Sequence, residues 1–232
     1  MFTQLAPLNR ELHGALKVKP IDHFNFAKGF HLASIMVHEF ARAASVYPIV
    51  FLEDKEKDEF RPVVLLGLEA GENIFVAEDG SWNASYVPAI IRRYPFALAR
   101  LGEDEDQFTV CLDEKSDFVS VEEGQPLFDE QGEPTEVVEN VKRYLSEMQQ
   151  MEMFTQAFCH FLAEHNLFNP LNMQVRQGET MRNVTGCYVV NEERIYNLSD
   201  KLFLEIRDKR YLAPMFSHLT SLAQIERLSK EA

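Results

Sequence analysis

The sequence is poor in cysteine and has no long apolar run. Its three cysteines, Cys111, Cys159 and Cys187, are far apart and odd in number, which argues against a disulfide framework and a CxxC-type metal site. We therefore expect them to be small buried apolar side chains. The longest apolar run covers residues 63–68, far short of the roughly 20 residues that a membrane helix needs. The sequence predicts no membrane span.

Clustered basic residues are scarce, whereas acidic residues are abundant. The formal net charge is −14, and residues 103–139 contain fourteen Asp or Glu residues against one Lys. Because phosphate binding depends on clustered Lys and Arg, nucleic acid is not expected as a partner. The simplest interpretation of the acidic segment is a solvated loop, although a basic protein partner or a divalent cation remains open. The N-terminal residues lack the features of a signal peptide, which predicts a cytoplasmic location.

The motifs of common enzyme classes are also missing. The sequence contains no GxSxG elbow, P-loop or GxGxxG motif. His38 and Glu39 begin like an HExxH zinc motif, but Arg42 stands where the second histidine is needed. His160 and Glu164 share a predicted helix face, and two groups alone do not hold a metal ion. We predict no metal site, and the sequence identifies neither a catalytic residue nor a cofactor.

The spacing of apolar residues predicts an α+β fold. The predicted helices cover residues 31–45, 86–94, 134–165, 200–207 and 212–228. The predicted strands cover residues 49–52, 62–68, 74–76, 96–99, 108–112, 171–176 and 184–190, with turns at 103–106 and 177–179. A β-rich part with short helices over residues 1–132 is thus followed by a long helix, a β-hairpin and terminal helices over residues 133–232. We expect the two parts to form a single body over residues 1–232.

The predicted helix over residues 134–165 carries an apolar stripe that needs a partner. Its apolar residues recur at steps close to four and three, as on helices that face another helix. We expect the terminal helix over residues 212–228 to be that partner. The stripe consists of Val137, Val141, Tyr144, Met148, Met151, Phe158 and Leu162.

The most suggestive polar and aromatic side chains lie between residues 82 and 94. A guanidinium group can bind a carboxylate through two hydrogen bonds, and aromatic rings can stack on an aromatic ligand. These residues therefore predict a site for a small aromatic carboxylate. A structural role remains open, with the rings in the core and the arginines bound to backbone carbonyls or to the acidic segment. The candidate residues are Trp82, Tyr86, Arg92, Arg93 and Tyr94.

Several segments of the chain resemble one bacterial family. Residues 71–96 read GENIFVAEDGSWNASYVPAIIRRYPF, and further similar segments are 47–51 (YPIVF), 60–68 (FRPVVLLGL), 126–135 (PLFDEQGEPT) and 186–193 (GCYVVNEE). These segments closely resemble the SapC family, as does the leucine-rich C-terminus. The resemblance covers nearly the whole chain.

The resemblance implies a role but no catalytic residue. Members of the family tend to be encoded beside TonB-dependent receptors, cupin-like proteins and proteins similar to flavin-dependent tryptophan halogenases. This context implies a non-catalytic accessory or binding protein that handles a small aromatic or peptide compound and acts on a partner protein or on a small aromatic acid. The alternative is an enzyme of unrecognised type that acts on such a compound.

Overall fold

The computed structural model describes residues 1–100, 108–177 and 180–230. The described strands, in chain order, are β1 (Leu5–Pro7), β2 (Lys17–Val18), β3 (Leu32–Ser34), β4 (Ile49–Asp54), β5 (Glu59–Leu65), β6 (Phe96–Arg100), β7 (Phe108–Asp113), β8 (Val119–Ser120), β9 (Gln125–Pro126), β10 (Phe168–Gln177) and β11 (Thr180–Val190). The described helices are α1 (Arg10–His13), α2 (Phe40–Ala43), α3 (Ala89–Arg92), α4 (Glu136–Glu164), α5 (Glu192–Tyr196), α6 (Asp200–Asp208), α7 (Leu212–Ser221) and α8 (Ile225–Lys230). This mixture confirms the predicted α+β class. The predicted turn at 103–106 and residues 178–179 of the turn predicted at 177–179 lie outside the described residues.

Most of the predicted elements are present at the expected places. β4 and β5 pair as an antiparallel hairpin, and so do β6 with β7 and β10 with β11. The long helix is α4, with Glu136 and Glu139 in its first turn, where the helix dipole favours acidic side chains. The side chain of Ser199 accepts a hydrogen bond from the backbone N–H of Leu202 and caps α6.

The prediction of one helix over residues 31–45 was wrong. Residues 32–34 form strand β3, which pairs with residues 63–65 at the edge of a sheet. Helical turns are confined to a 3-10 turn at Val37–Glu39 and to α2. The spacing of apolar residues in this segment is that of a helix. Pairing with β5 nevertheless provides hydrogen-bond partners for backbone groups of residues 32–34, and these long-range hydrogen bonds determine the local structure.

Three other predicted elements differ in the structure. Residues 74–76 do not form a strand, because the Asn73 side chain accepts a hydrogen bond from the Phe75 backbone N–H and holds the chain in a turn. The helix predicted over 86–94 is confined to α3, which begins after Pro88. The predicted terminal helix is divided into α7 and α8 by a 3-10 turn at Leu222–Gln224.

The chain divides into two compact units, each built from two segments of sequence. Unit 1 comprises residues 1–24 and 89–150, and unit 2 comprises residues 25–88 and 151–232. These limits do not coincide with the predicted boundary between residues 132 and 133.

Unit 1 contains two small antiparallel sheets, with strand orders β1-β7-β6 and β8-β2-β9. An apolar cluster fills its interior, contributed by both sheets, by residues 127–128 and by the first half of α4. Partly buried residues, including Leu16 and Leu98, pack against this cluster. Its buried members are Val18, Phe96, Val110, Leu112, Leu127, Phe128, Val138 and Leu145.

The apolar stripe of α4 therefore has a different partner from the one predicted. Val137, Val141 and Met148 pack against the core of unit 1. In unit 2, the ring of Phe158 contacts Tyr211, the residue before α7, with 5.1 Å between ring centroids. The prediction was wrong for the first half of the stripe, because sequence periodicity identifies a buried face but not what covers it.

Unit 2 is organised around one antiparallel sheet with strand order β10-β11-β4-β5-β3. Three fully buried rings, those of Phe40, Phe51 and Phe158, meet beside it with centroid separations between 6.2 and 6.4 Å. Aromatic pairs at such separations add to the stabilisation that comes from apolar burial. The second half of α4 thus contributes to the core of unit 2.

A buried histidine joins α7 to two strands of this sheet. Tyr188 of β11 pairs with Phe51 of β4, and two residues beyond this pair on the two strands lie Val190 and Ile49. The imidazole of His218 links them: its Nε2 accepts from the Val190 N–H at 3.0 Å, and its Nδ1–H donates to the Ile49 carbonyl at 2.8 Å. These two bonds assign the neutral tautomer that carries its proton on Nδ1.

Candidate functional site

A cavity of about 420 Å³ opens in unit 1 beside the segment that follows α3. This volume lies within the range of about 300–1,000 Å³ that is typical of small-molecule pockets. Three of the five candidate residues, Arg92, Arg93 and Tyr94, line it. The rest of its lining consists of Val18, Lys19, Pro20, Ile21, Pro95, Phe96, Gln125, Asn140, Val141, Tyr144 and Leu145. We call this space the arginine cavity.

Local structure explains why these side chains meet. α3 ends at Arg92, so Arg92 and Arg93 lie at the transition from helix to strand β6. α4 contributes three further lining residues, Asn140, Val141 and Tyr144. Because Val141 and Tyr144 are three positions apart, they lie on the same face of this helix. The Tyr144 hydroxyl donates to the Ala89 carbonyl at 3.2 Å and so ties α4 to the start of α3.

Both guanidinium groups lie over aromatic rings. The Arg92 guanidinium carbon is 5.8 Å from the centroid of the Tyr144 ring, and that of Arg93 is 5.5 Å from the centroid of the Phe2 ring. Cation–π contacts of this kind hold a planar guanidinium in a defined orientation. The two cations are therefore positioned by the fold.

A hydrogen bond to Asp113 fixes the phenol of Tyr94. The Tyr94 hydroxyl donates to Oδ2 of the fully buried Asp113 at 3.2 Å. Burial raises the pKa of Tyr94 above its usual value, and the charge of Asp113 adds to the rise, so this phenol keeps its proton. Burial also acts to raise the pKa of Asp113, but hydrogen bonds from the backbone N–H groups of Thr3, Gln4 and Lys115 outweigh it and lower that pKa. Asp113 therefore stays ionised and anchors the ring.

The charge of the arginine cavity is opposite to that of its surroundings. Unit 1 contains seventeen Asp and Glu residues and nine Lys and Arg residues. The Asp, Glu, Lys and Arg residues among the described lining are Lys19, Arg92 and Arg93, and all three are basic. Since this part of the chain is acidic, a positive lining is a local property that favours an anionic ligand.

The other two candidate residues, Trp82 and Tyr86, belong to unit 2 and form hydrogen bonds within it. The Trp82 indole N–H donates to the Tyr47 hydroxyl at 2.8 Å and approaches the Tyr86 carbonyl at 3.1 Å. Tyr47 in turn donates to that same carbonyl, and the Tyr86 hydroxyl donates to Oε1 of Glu39 at 2.5 Å. Glu39 is almost completely buried, and its Oε2 accepts from the Met36 backbone N–H at 3.0 Å.

Sequence reasoning missed several members of both groups. Lys19 lies in a segment of the sequence with no motif, and Tyr144 belongs to the apolar stripe predicted on the long helix. Glu39 falls within the helix predicted over residues 31–45, and Tyr47 stands out only as part of the segment 47–51 that resembles the family. A useful signal was available for Glu39, because a carboxylate between the apolar residues Val37 and Phe40 needs hydrogen-bond donors if it is buried.

The pair of His160 and Glu164 noted in the sequence lies on the surface of unit 2. Nε2 of His160 is 3.9 Å from Oε2 of Glu164, and both side chains are exposed. Over residues 1–100, 108–177 and 180–230, no group of three or more His, Cys, Asp or Glu side chains is arranged to hold a metal ion. Within the same ranges, no helix combines the length and apolarity that crossing a membrane requires.

The three cysteines are buried thiols, as predicted. Burial raises the pKa of Cys111, Cys159 and Cys187 above the usual value of a thiol. A raised pKa keeps a thiol protonated at neutral pH and lowers its nucleophilicity.

Comparisons with known proteins identify a family. No curated protein and no solved structure matches the chain. The sequence model of one family, described as SapC, matches residues 8–228 and so covers both units and the complete lining of the arginine cavity. The chain belongs to the SapC family.

Proposed function

We propose that this SapC-family chain is a non-catalytic binding protein whose arginine cavity holds a small aromatic carboxylate. The observation that carries the proposal is the combination of three cations with aromatic and apolar surfaces around a cavity of about 420 Å³. A ligand with one anionic end and one aromatic end matches both properties of the lining.

The anionic end of the ligand is assigned to Arg92, Arg93 and Lys19. Guanidinium groups bind carboxylates through paired, charge-assisted hydrogen bonds, which are stronger than hydrogen bonds between neutral groups. Because Arg92 and Arg93 are already oriented over aromatic rings, less rotational freedom is lost when the ligand binds.

The aromatic end of the ligand is assigned to the rings and apolar side chains of the same lining. Phe96 and Tyr144 supply ring surfaces, and Pro20, Ile21 and Val141 supply aliphatic ones. Burial of apolar ligand surface supplies most of the affinity in pockets of this kind, while the few polar groups fix orientation.

The site predicted from sequence is therefore proposed in a narrower form. Arg92, Arg93 and Tyr94 contact the ligand, whereas Trp82 and Tyr86 serve the hydrogen-bond network around Glu39. The fluorescence of Trp82, the sole tryptophan, distinguishes the two forms. Binding that leaves Trp82 emission unchanged supports the narrower site, and strong quenching supports the five-residue site.

Hydrocinnamate is a suitable first probe, with hydrocinnamamide as its neutral counterpart of nearly the same shape. We expect hydrocinnamate to shift the backbone amide NMR signals of residues that line the arginine cavity, and the amide to bind at least several-fold more weakly. Equal affinity for the two compounds would contradict the anionic half of the proposal. Conversion of the probe to a product in the same tube would favour an enzyme instead.

A further inference from the structure

A second cavity lies in unit 2, between the turn of the β4–β5 hairpin and the C-terminal end of α4. Two adjoining pockets of about 340 and 360 Å³ form it, and both are lined by Asp58, Phe60 and His160. β10 and β11 add Phe168 and Tyr188 to one of them. We call this combined space the hairpin cavity. Each pocket is within the size range of small-molecule sites.

Three aromatic rings form one wall of the hairpin cavity. The Phe60 and Phe168 rings are stacked, with 4.3 Å between centroids and 26° between planes. The Tyr188 ring meets Phe60 edge to face at 5.0 Å and 87°. All three side chains are only partly buried, and the Tyr188 hydroxyl is held by a 2.6 Å hydrogen bond to Glu53. The cavity therefore has a preformed aromatic wall.

The Asp, Glu, Lys and Arg residues among the described lining are all acidic, and the lining also contains the imidazole of His160, whose Nε2 is 3.9 Å from Oε2 of Glu164. Asp58 and Glu59 border the cavity at the hairpin, and Glu164 borders it at the last residue of α4. The carbonyl end of a helix carries a partial negative charge, which adds to that of these carboxylates. Lys55 and Lys57 of the same hairpin are not among the described lining residues.

From this combination we propose that the hairpin cavity binds a small aromatic ammonium compound. Its ring packs on Phe60, Phe168 and Tyr188, and its ammonium group lies between Asp58 and Glu164. An organic cation is attracted both by carboxylates and by the negative faces of aromatic rings. The ligand is opposite in charge to the one assigned to the arginine cavity, and the two sites share no residue. Either proposal can therefore fail without the other.

Phenethylamine tests this site, with phenethyl alcohol as its neutral counterpart. Titrations of the full chain, followed by calorimetry and by amide NMR shifts, are expected to show saturable binding of the amine that weakens as salt is added. The double variant Asp58→Asn/Glu164→Gln is expected to bind the amine roughly 2- to 30-fold more weakly, as for the loss of two partly exposed ion pairs. Asp58 has φ = 53°, a conformation that asparagine also tolerates, so its substitution keeps the backbone.

Two further variants complete the design. Glu147→Gln removes an exposed carboxylate from the same helix but not from the cavity, and is expected to bind phenethylamine like the wild type. Phe60→Leu keeps an apolar side chain but removes the central ring, and is expected to lose affinity several-fold.

Three results would overturn the proposal. These are equal affinity for the amine and the alcohol, unchanged affinity in Asp58→Asn/Glu164→Gln, and no saturable binding at millimolar concentration. Equally tight binding of Nα-acetyl-lysine amide would contradict the aromatic part of the assignment, because it would indicate a lysine side chain of a protein partner.

Discussion

The hydrogen bonds of His218 predict a specific loss of stability in acid. The imidazole is fully buried and links Val190 to Ile49 as a neutral ring. Burial lowers its pKa from 6.5 to about 4, against a small opposing effect of the hydrogen bond to Ile49. In the unfolded chain the same side chain returns to its ordinary pKa. The unfolded state therefore binds a proton at a higher pH than the folded state does.

The sign and size of the effect follow from this difference. The stabilisation is fully present above pH 6.5, is lost progressively as the pH falls toward 4, and does not change further below 4. Each pKa unit corresponds to about 1.4 kcal/mol, so the full loss is about 3 kcal/mol, of which about 2 kcal/mol has occurred by about pH 5.

Urea unfolding at about pH 7.5 and about pH 5 measures this loss. The variant His218→Gln serves as the reference, because glutamine can donate and accept hydrogen bonds but does not titrate. The other six histidines are common to both proteins, so the difference between wild type and variant isolates His218. Wild type is expected to lose about 2 kcal/mol more than the variant between the two pH values.

Equal losses in the two proteins would refute this reasoning. If the variant does not fold, the ring protons of His218 in the wild type provide an independent check by NMR titration. An apparent pKa near 4 agrees with the structure, and a value near 6.5 would show that the ring is accessible to water.

Two further stability predictions concern packing. Phe158 is fully buried among aromatic rings in unit 2, so Phe158→Ala should lower the free energy of unfolding by about 3–5 kcal/mol in a urea titration. A loss below about 1 kcal/mol would instead place this ring near the surface. Gly124 has φ = 109°, and a Cβ there would lie 2.5 Å from the Val18 carbonyl oxygen, so Gly124→Ala should cost about 2 kcal/mol or more. Gly29→Ala, where a Cβ meets no atom within 4 Å, is its control, and equal stability of the two variants would contradict the close approach.

The sequence predicted the helices and strands better than it predicted what each of them pairs with or packs against. Alternating apolar and polar residues over 171–176 predicted β10, and the apolar stripe over 134–165 predicted α4. An element that buries one face has apolar residues at the period of its own geometry, so both patterns are visible in the sequence. Residues 31–45 also have the apolar spacing of a helix, yet three of them form an edge strand. The reason is their pairing with β5, which a local sequence pattern cannot predict. The sequence also did not predict that the chain divides after residues 24, 88 and 150, because unit 1 is formed by two segments that are far apart in sequence.

The chemistry of the side chains suggested five candidate residues, and the fold divides them between the two units. Adjacent arginines followed by a tyrosine are visible in the sequence, and these three side chains line one cavity. The third cation of the same lining, Lys19, precedes them by more than seventy positions, so only the fold shows that it belongs there. Trp82 was close in sequence but lies in the other unit, where its N–H donates to Tyr47.

Calorimetric titration of hydrocinnamate into wild type, Arg92→Gln, Arg93→Gln and the control Lys115→Gln tests the central claim most directly. Lys115 is an exposed cation of unit 1 that does not line the arginine cavity, so its removal controls for the change in net charge. We expect Lys115→Gln to bind like wild type, and we expect Arg92→Gln or Arg93→Gln to lose about 1.5–3 kcal/mol, as for a charge-assisted hydrogen bond. Equal affinity in wild type and both arginine variants would contradict the claim and assign these arginines to structural contacts alone.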